Sequence, residues 1–464
     1  MSPDRLSSSV FLRSSPAATF CAALASTGGL LASASAFAAP QTTPASAAPV
    51  PAVVAETQRR LDAVTADVDR EYLIGPGVAA DLGYRVVWQA HLPAATPITR
   101  VGVGLHGIYV LDATNTIARL RPSDGELLWR VAVANPIDIF RGVTWADVAV
   151  TTPSPKGPIV TREPRAYLST DTECFVIDPN SGSMIDRQRF VKLPATDPLS
   201  VGPYLVYGTI GGQVVWHQCV VGHELHANSL DSNMRGKPVR LGDSVIAASE
   251  RGLIMAMDAS TGRTRWTART LGGVLSTPAV GDGMVYVPSE DQYLWAFDGK
   301  TGAANWRYFT QSSLTTPPYA VGDSVLQYVP DEGLVCLASR ANGKLDGVVR
   351  WKNPDVSGVP YGMVGNNVLL WDETKRVLTL LDPVSGSVLS RHSLPQVDQL
   401  LLTATGPLAD DIFGLSKDGR VVRLTPKQAR STAATPDAAP AVKKEIPLSI
   451  PLATPDGAAA GSAR

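Results

Sequence analysis

The chain is poor in charge: only 18% of its 464 residues are Asp, Glu, Lys or Arg, against about a quarter in an ordinary soluble domain. Lys plus Arg number 41 and Asp plus Glu 42, a formal balance of −1. So neutral a chain has no bulk field with which to hold nucleic acid or an anionic membrane surface, and generic polyanion binding is excluded. Cysteine is scarce as well. Cys21, Cys174, Cys219 and Cys336 stand far apart and no two form a CxxC pair, which excludes a disulfide-built fold, a CxxC redox centre and a CxxCH haem site. No Gly-x-Ser-x-Gly elbow is present. Gly102, Gly104, Gly211 and Gly212 punctuate strand-like runs with no helix after them, so they do not form a phosphate-cradling loop.

What the chain has in surplus is turn formers, 40 Gly and 36 Pro. Part of the proline lies at the ends. Residues 39–55 and 426–464 are rich in Ala, Pro, Thr and Ser, with too few large apolar side chains to offset ordering entropy, and read as disordered tethers. Residues 1–38 carry Arg5 and Arg13, then an uncharged run ending in Ala36, Phe37 and Ala38. This pattern predicts a cleaved export signal, since the Ala, Ser, Thr and Gly of the run insert weakly as an anchor. Phe20 before Cys21 puts a bulky ring where a lipobox has a small residue. The expected location is therefore the periplasm, the cell envelope or the medium, with no integral span in the mature chain.

The interior is organised by a repeat. Asp258, Thr261, Gly262 and Trp266 form a D-x-x-T-G-x-x-x-W motif that returns forty residues later as Asp298, Thr301, Gly302 and Trp306. Weaker copies place Asp178 and Gly182 before Asp186, Asp382 and Gly386 before Ser390, and Gly125 before Trp129; Gly222 before His226 is a degenerate one. With Trp88 and Trp351, the last position of the motif recurs at 88, 129, 186, 226, 266, 306, 351 and 390. A second phase, a Gly-Asp-like turn entering an apolar strand, recurs at Gly202, Gly242, Gly281, Gly322 and Gly365. Short β-branched and aromatic runs separated by such turns, at periods of 40 to 45, predict four-stranded propeller blades. The motif residues have structural reasons: glycine for a left-handed turn, Asp to accept its N–H groups, Trp to fill the seam between sheets.

The expectation is an all-β, eight-bladed propeller over residues 84–425, closed by pairing the strand near 85–92 with the last strands, 411–415 and 420–424. Residues 56–83 supply a lead-in. Leu61, Val64, Val68 and Tyr72 are spaced for an amphipathic helix over 56–72, packed on the outside of the propeller. The 57 residues between Trp129 and Asp186 hold a Pro-rich stretch, so residues 151–165, with Arg162 and Arg165 at the end, are expected as an inserted rim loop.

The repeat resembles the pyrroloquinoline quinone (PQQ) repeat family of eight-bladed propellers over roughly residues 84–424. That family holds quinoprotein dehydrogenases and non-enzymatic BamB-like propellers of outer-membrane β-barrel assembly. The resemblance specifies fold rather than function. It implies, for the enzymes, PQQ over a disulfide of adjacent cysteines, calcium held by Glu and Asn, and an Asp base; this chain has no adjacent cysteines. No catalytic residue, cofactor or metal ligand is therefore assigned, and no cofactor is expected. The expected function is that of a monomeric interaction scaffold meeting protein partners at a rim, with envelope assembly as the family-level reading. The alternatives are a PQQ-dependent dehydrogenase and a soluble ligand-binding propeller. His217, Cys219, His223 and His226 fall within ten residues, and imidazole with thiolate suits zinc. Because His226 occupies the Trp position and His223 follows the Gly222 turn, a degenerate blade is expected there instead.

Overall fold

The structure, a computed structural model, describes residues 52–92, 97–104, 107–155, 157–340, 347–404 and 408–427. The export signal at 1–38 and the proline-rich tail from 428 lie outside the described residues. The chain divides into two units, Met1–Glu56 and Thr57–Arg464. Of the first, only the opening turn of helix α1 (Ala52–Glu71) is described. The second contains the rest of α1, a short helix α2 (Pro76–Asp81) and eight four-stranded antiparallel sheets arranged as the blades of a ring.

Blades 1 to 7 are simple meanders in chain order, beginning with the strands Ile98–Gly104, Phe140–Thr152, Leu199–Val201, Val239–Leu241, Ala279–Gly281, Tyr319–Val321 and Val359–Val364. Blade 8 takes Gln399–Leu402, Ile412–Leu415 and Arg420–Pro426 from one end of the chain and Tyr84–His91 from the other. The register of that last pairing runs from Tyr84 opposite Pro426 to His91 opposite Arg420. Closing the ring this way pairs strands from the two ends and leaves no unpaired edge between first and last blade.

The middle strands of each blade are buried on both faces, as in Met284–Pro288 and Ser244–Ala248. This is why they read as continuous apolar runs rather than alternating ones. Their side chains point alternately to the two neighbouring blades. The core is accordingly eight separate clusters, one at each seam: Val206, Trp216 and Val245 between blades 3 and 4, for example, or Tyr286, Trp306 and Val335 between blades 5 and 6.

Three sequence expectations are corrected here. Residues 151–165 are not a loop: the strands Phe140–Thr152 and Ile159–Thr170 are simply long, and pair in register as far as Thr152 opposite Ile159. The third strand of blade 2 covers only Ala166–Ser169, so the remainder stands beyond the blade as a two-stranded ribbon. Arg162 and Arg165 lie in its second strand, Arg165 bonded to Glu163 at 2.6 Å. The turn placed at Gly281 lies one residue on. Asp282 (φ 49°) and Gly283 (φ 70°) are its left-handed pair, matching the two-residue hairpin turns built on Gly202, Gly242 and Gly322. Finally, Val64 and Val68 of α1 are exposed, so they do not pack the helix onto the ring. The lead-in is held further along, by Leu73 and Ile74, which are buried between blades 7 and 8, and by the Gln89 side chain, which accepts from the Leu73 N–H at 2.7 Å.

Candidate functional site

A four-stranded meander puts its first and third hairpin turns at one end and its second turn and exit at the other. The ring thus has a turn face, carrying the repeat motif, and a connection face, where the chain passes from blade to blade.

On the turn face each motif residue does one job. Asp258 Oδ1 accepts the N–H groups of Ser260 and Thr261 and both their hydroxyls. The Ser260 hydroxyl, then Arg265 and the Thr261 N–H, hold this carboxyl well below the usual carboxylate range. Asp178, Asp298 and Asp382 serve their own turns similarly. Gly125, Gly182, Gly262, Gly302 and Gly386 are left-handed, with φ between 67° and 76°. A Cβ at Gly302 would sit 2.5 Å from the Trp266 ring, and at Gly386 2.5 Å from Trp351. The indole therefore lies flat on the next blade's turn glycine and donates to a carbonyl of that turn: Trp88 to Pro122 at 2.8 Å, Trp129 to Pro179 at 3.2 Å, Trp266 to Gly299 at 3.0 Å, Trp306 to Ser339 at 2.8 Å and Trp351 to Pro383 at 2.9 Å. Just before this position, the register of the outermost strand slips by one residue in every blade. A bulge of this kind turns the following side chain toward the neighbouring blade.

The three positions without Trp each have a replacement. After Asp186, Gln188 donates to the Cys219 carbonyl at 2.8 Å and packs on Gly222. His226 lies over Gly262, while Trp216, one strand inward, supplies the indole bond, to Ala259 at 3.0 Å. Ser390 faces blade 8, whose two outer strands come from opposite chain ends and so have no turn to receive an indole. Leu73, Ile74, Ala79, Leu82 and Tyr84 fill that seam instead.

The connection face is different in character. Ile137 and Ile139 lie between blades 1 and 2, Val191 and Leu193 between blades 2 and 3, Ile210 on the second turn of blade 3, and Leu271 between blades 4 and 5. All are exposed: Ile137 by 89%, Val191 by 84% and Leu271 by 78%. Ile210 N–H donates to the Leu193 carbonyl, so these two are neighbours. Sequence reasoning missed this set. Its one signal was the position five beyond the motif's last residue, which alternates between apolar Val191 and Leu271 and polar Asp231 and Gln311.

A family model described as outer membrane protein assembly factor BamB, of the PQQ-repeat type, matches residues 206–396, that is, from blade 3 through blade 7. Proteins of that name from Bordetella pertussis and Yersinia pestis are similar, at 29% identity over 162 residues and 24% over 225. These stretches cover 33% and 42% of this chain, and 40% and 54% of the relatives, so the chain spans about half or less of the curated relatives it matches. The crystal structure of BamB from Moraxella catarrhalis superposes with a TM-score of 0.55 at 19% identity, over 74% of this chain and 98% of that one. A computationally designed protein, Ika8, superposes with a TM-score of 0.56 at 14% identity, over 73% and 98%. The chain is an eight-bladed β-propeller that resembles the PQQ-repeat, BamB-like family over blades 3 to 7.

The residues of this propeller do not supply the adjacent-cysteine disulfide that the resemblance implies for a quinone enzyme. Cys174, Cys219 and Cys336 are buried free thiols; Cys174 and Cys219 lie in the blade 2/3 seam and Cys336 in the blade 6/7 seam. Burial pushes the Cys219 thiol up to about 12. Among the described residues no three His, Cys, Asp or Glu side chains gather as metal ligands. The four residues at 217–226 separate: His217 is buried with Nε2 2.9 Å from Gln188 Oε1, Cys219 packs with Tyr167 and Tyr207, His223 is exposed, and the His226 ring lies 6.5 Å from that of Tyr204.

His217 makes the blade 2/3 seam acid-sensitive. Burial lowers its pKa to about 4, from about 6.5 when unfolded. Above pH 6.5 both states are neutral and nothing is lost. As pH falls toward 4 the unfolded chain takes up a proton that the folded one refuses, and stability drops. Between pH 7 and 4.5 His217→Gln is expected to remove ~2 kcal/mol of the acid-induced loss, read as the difference in urea midpoints between the two proteins at each pH.

Proposed function

We propose that this propeller is an exported, non-catalytic protein-interaction scaffold, working without a cofactor in the periplasm or cell envelope to support outer-membrane protein assembly. It binds as a monomer and takes its protein partner on the connection face. The observation carrying this reading is the exposed set Ile137, Ile139, Val191, Leu193, Ile210 and Leu271. None of these side chains is needed by the ring, since the seams are filled by others. An arc of large apolar groups on one face of a near-neutral protein is suited to a partner that buries it. The relatives' shared name, outer membrane protein assembly factor, supports assembly as the task. No described helix is long and apolar enough to cross a membrane.

The test is cross-linking in cells, followed by identification of the captured proteins, with wild type and the pair Ile137→Asp and Val191→Asp. Both positions are exposed, so the melting temperature is expected to stay unchanged. Burying each apolar side chain stabilises a complex by ~1.5 kcal/mol or more, so recovery of an envelope partner is expected to fall at least about tenfold. Undiminished recovery, or capture of no envelope protein by the wild type, would overturn the reading.

A further inference from the structure

A cavity of about 720 Å³ opens on the connection face between blades 6 and 7. Pro317, Tyr328, Pro360 and Tyr361 give it an apolar, aromatic wall, and the turn Asp372, Glu373, Thr374 and Lys375 forms its polar lip. Within the lip, Asp372 is fully engaged. Its Oδ2 accepts the Ser357 hydroxyl at 2.6 Å and its Oδ1 accepts the N–H groups of Thr374 and Lys375. Lys375 in turn donates to Ser357 at 3.0 Å. Glu373 is exposed, accepts a long bond of 3.4 Å from the Tyr361 hydroxyl, and forms no ion pair among the described residues, so with Asp372 it leaves the lip one negative charge in excess over Lys375. Burial pushes the Tyr361 phenol up to about 12, so it stays a neutral donor. A wall of prolines and tyrosines beside a lip of net charge −1 suits an extended, proline-bearing peptide that carries a positive charge.

The chain contains such a segment. Beyond residue 427 the sequence is Ala, Pro, Thr and Ser almost throughout, yet four of its five large aliphatic side chains fall together: Ile446, Leu448, Ile450 and Leu452. Pro447, Ser449 and Pro451 alternate with them, and Lys443, Lys444 and Glu445 come just before, a net charge of +1. A residue preceding proline is sterically driven to extended conformations, which lowers the entropy lost on docking. Reach is ample. The described chain ends on the turn face of blade 8, where the Lys427 N–H donates to the Gly83 carbonyl, so the tail has to pass over the outer side of the ring to reach the connection face. The 20 residues from Lys427 to Pro447 can extend ~66 Å.

We propose that the blade 6/7 cavity is a binding site for a lysine-led, proline-interrupted aliphatic peptide, and that residues 443–452 of the same chain occupy it. The aliphatic side chains lie against Pro317, Tyr328, Pro360 and Tyr361, with the lysines toward Glu373. The site is independent of the partner surface formed by blades 1 to 5.

The test uses the full chain with photoreactive benzoylphenylalanine replacing Thr374, an exposed residue of the lip. After irradiation and trypsin digestion, the expected adduct joins this position to the peptide 445–464. In a mixture of ¹⁴N and ¹⁵N chains the adduct should pair like with like. Mixed-isotope adducts would mean that a second copy supplies the segment and would overturn the assignment. A synthetic peptide of residues 443–455 should compete, but only in the millimolar range, because a tether of this length gives an effective concentration of that order. The same peptide in scrambled order should not. Leu448→Asp with Ile450→Asp is expected to cut the adduct at least about tenfold, and neither position belongs to the ring, so unfolding cannot account for the loss. No adduct to 445–464, or an adduct indifferent to these changes, would sink the proposal.

Discussion

Trp306→Ala is expected to destabilise the ring by about 3–5 kcal/mol, the range for removing a buried aromatic without collapse of the site. Trp306 is only 2% exposed. It packs with Tyr286, Leu294 and Val335 in the blade 5/6 seam, and its ring fills the space that a Cβ at Gly347 would need, 2.8 Å away. Truncation removes this packing and leaves the Ser339 carbonyl without its indole donor. The backbone on both sides belongs to paired strands, so the gap cannot close by local collapse, which is the condition for a cost at the upper end. Urea denaturation provides the measurement, as a lowered midpoint at unchanged slope. Trp306→Phe should fall between, recovering packing but not the hydrogen bond. Trp351→Ala should cost less, because Trp351 is only half-buried. Equal losses at the two positions would show that the indoles do not act through burial.

What sequence reveals about this ring follows from how local each interaction is. The motif was legible because Asp, Gly and Trp stand at fixed offsets around one turn, and the interaction that needs them repeats. The gaps at Asp186 and His226 were visible too, but their replacements were not. Gln188 and Trp216 restore a donor at the same point in space from different positions in the repeat, and a period counts positions, not points. Ser390 becomes intelligible only once the closing blade is known to lack a turn. The 57-residue gap correctly signalled extra chain, but a surplus alone cannot distinguish a longer loop from longer strands. Val148, Val150, Ile159 and Val160 favour strands, and the prolines at 153, 155 and 158 are confined to the hairpin tip. The connection face was least legible. Leu230 and Leu271 stand one position apart in the repeat, four and five residues beyond the motif's last residue, and one is buried at 9% while the other is exposed at 78%; residue type alone does not tell the two positions apart.

The closing blade should be the weak point when the buried ion pair described within it is broken. Arg423 bonds Asp411 at 2.6 Å, with side chains 14% and 3% exposed, and the same guanidinium donates to the Pro122 carbonyl in blade 1. Trp88, on the N-terminal strand, donates to that carbonyl as well. One carbonyl thus gathers the last strand, the first strand and the neighbouring blade. Arg423→Ala leaves Asp411 buried without its cation, which typically costs about 3–5 kcal/mol, whereas replacing both partners by apolar residues of similar volume is often neutral. Arg423→Met combined with Asp411→Leu is therefore expected to recover most of the loss of the single variant. Half-exposed Arg130, paired with Asp112 at 2.7 Å within blade 1, should lose less on truncation. The location predicts more than a magnitude. Blades 1 to 7 are each continuous in sequence, but in blade 8 the strand Tyr84–His91 is held to Arg420–Pro426 by pairing alone. Limited proteolysis of Arg423→Ala should accordingly cut first around residues 84–92. First cuts elsewhere in the ring would mean that closure does not depend on this pair.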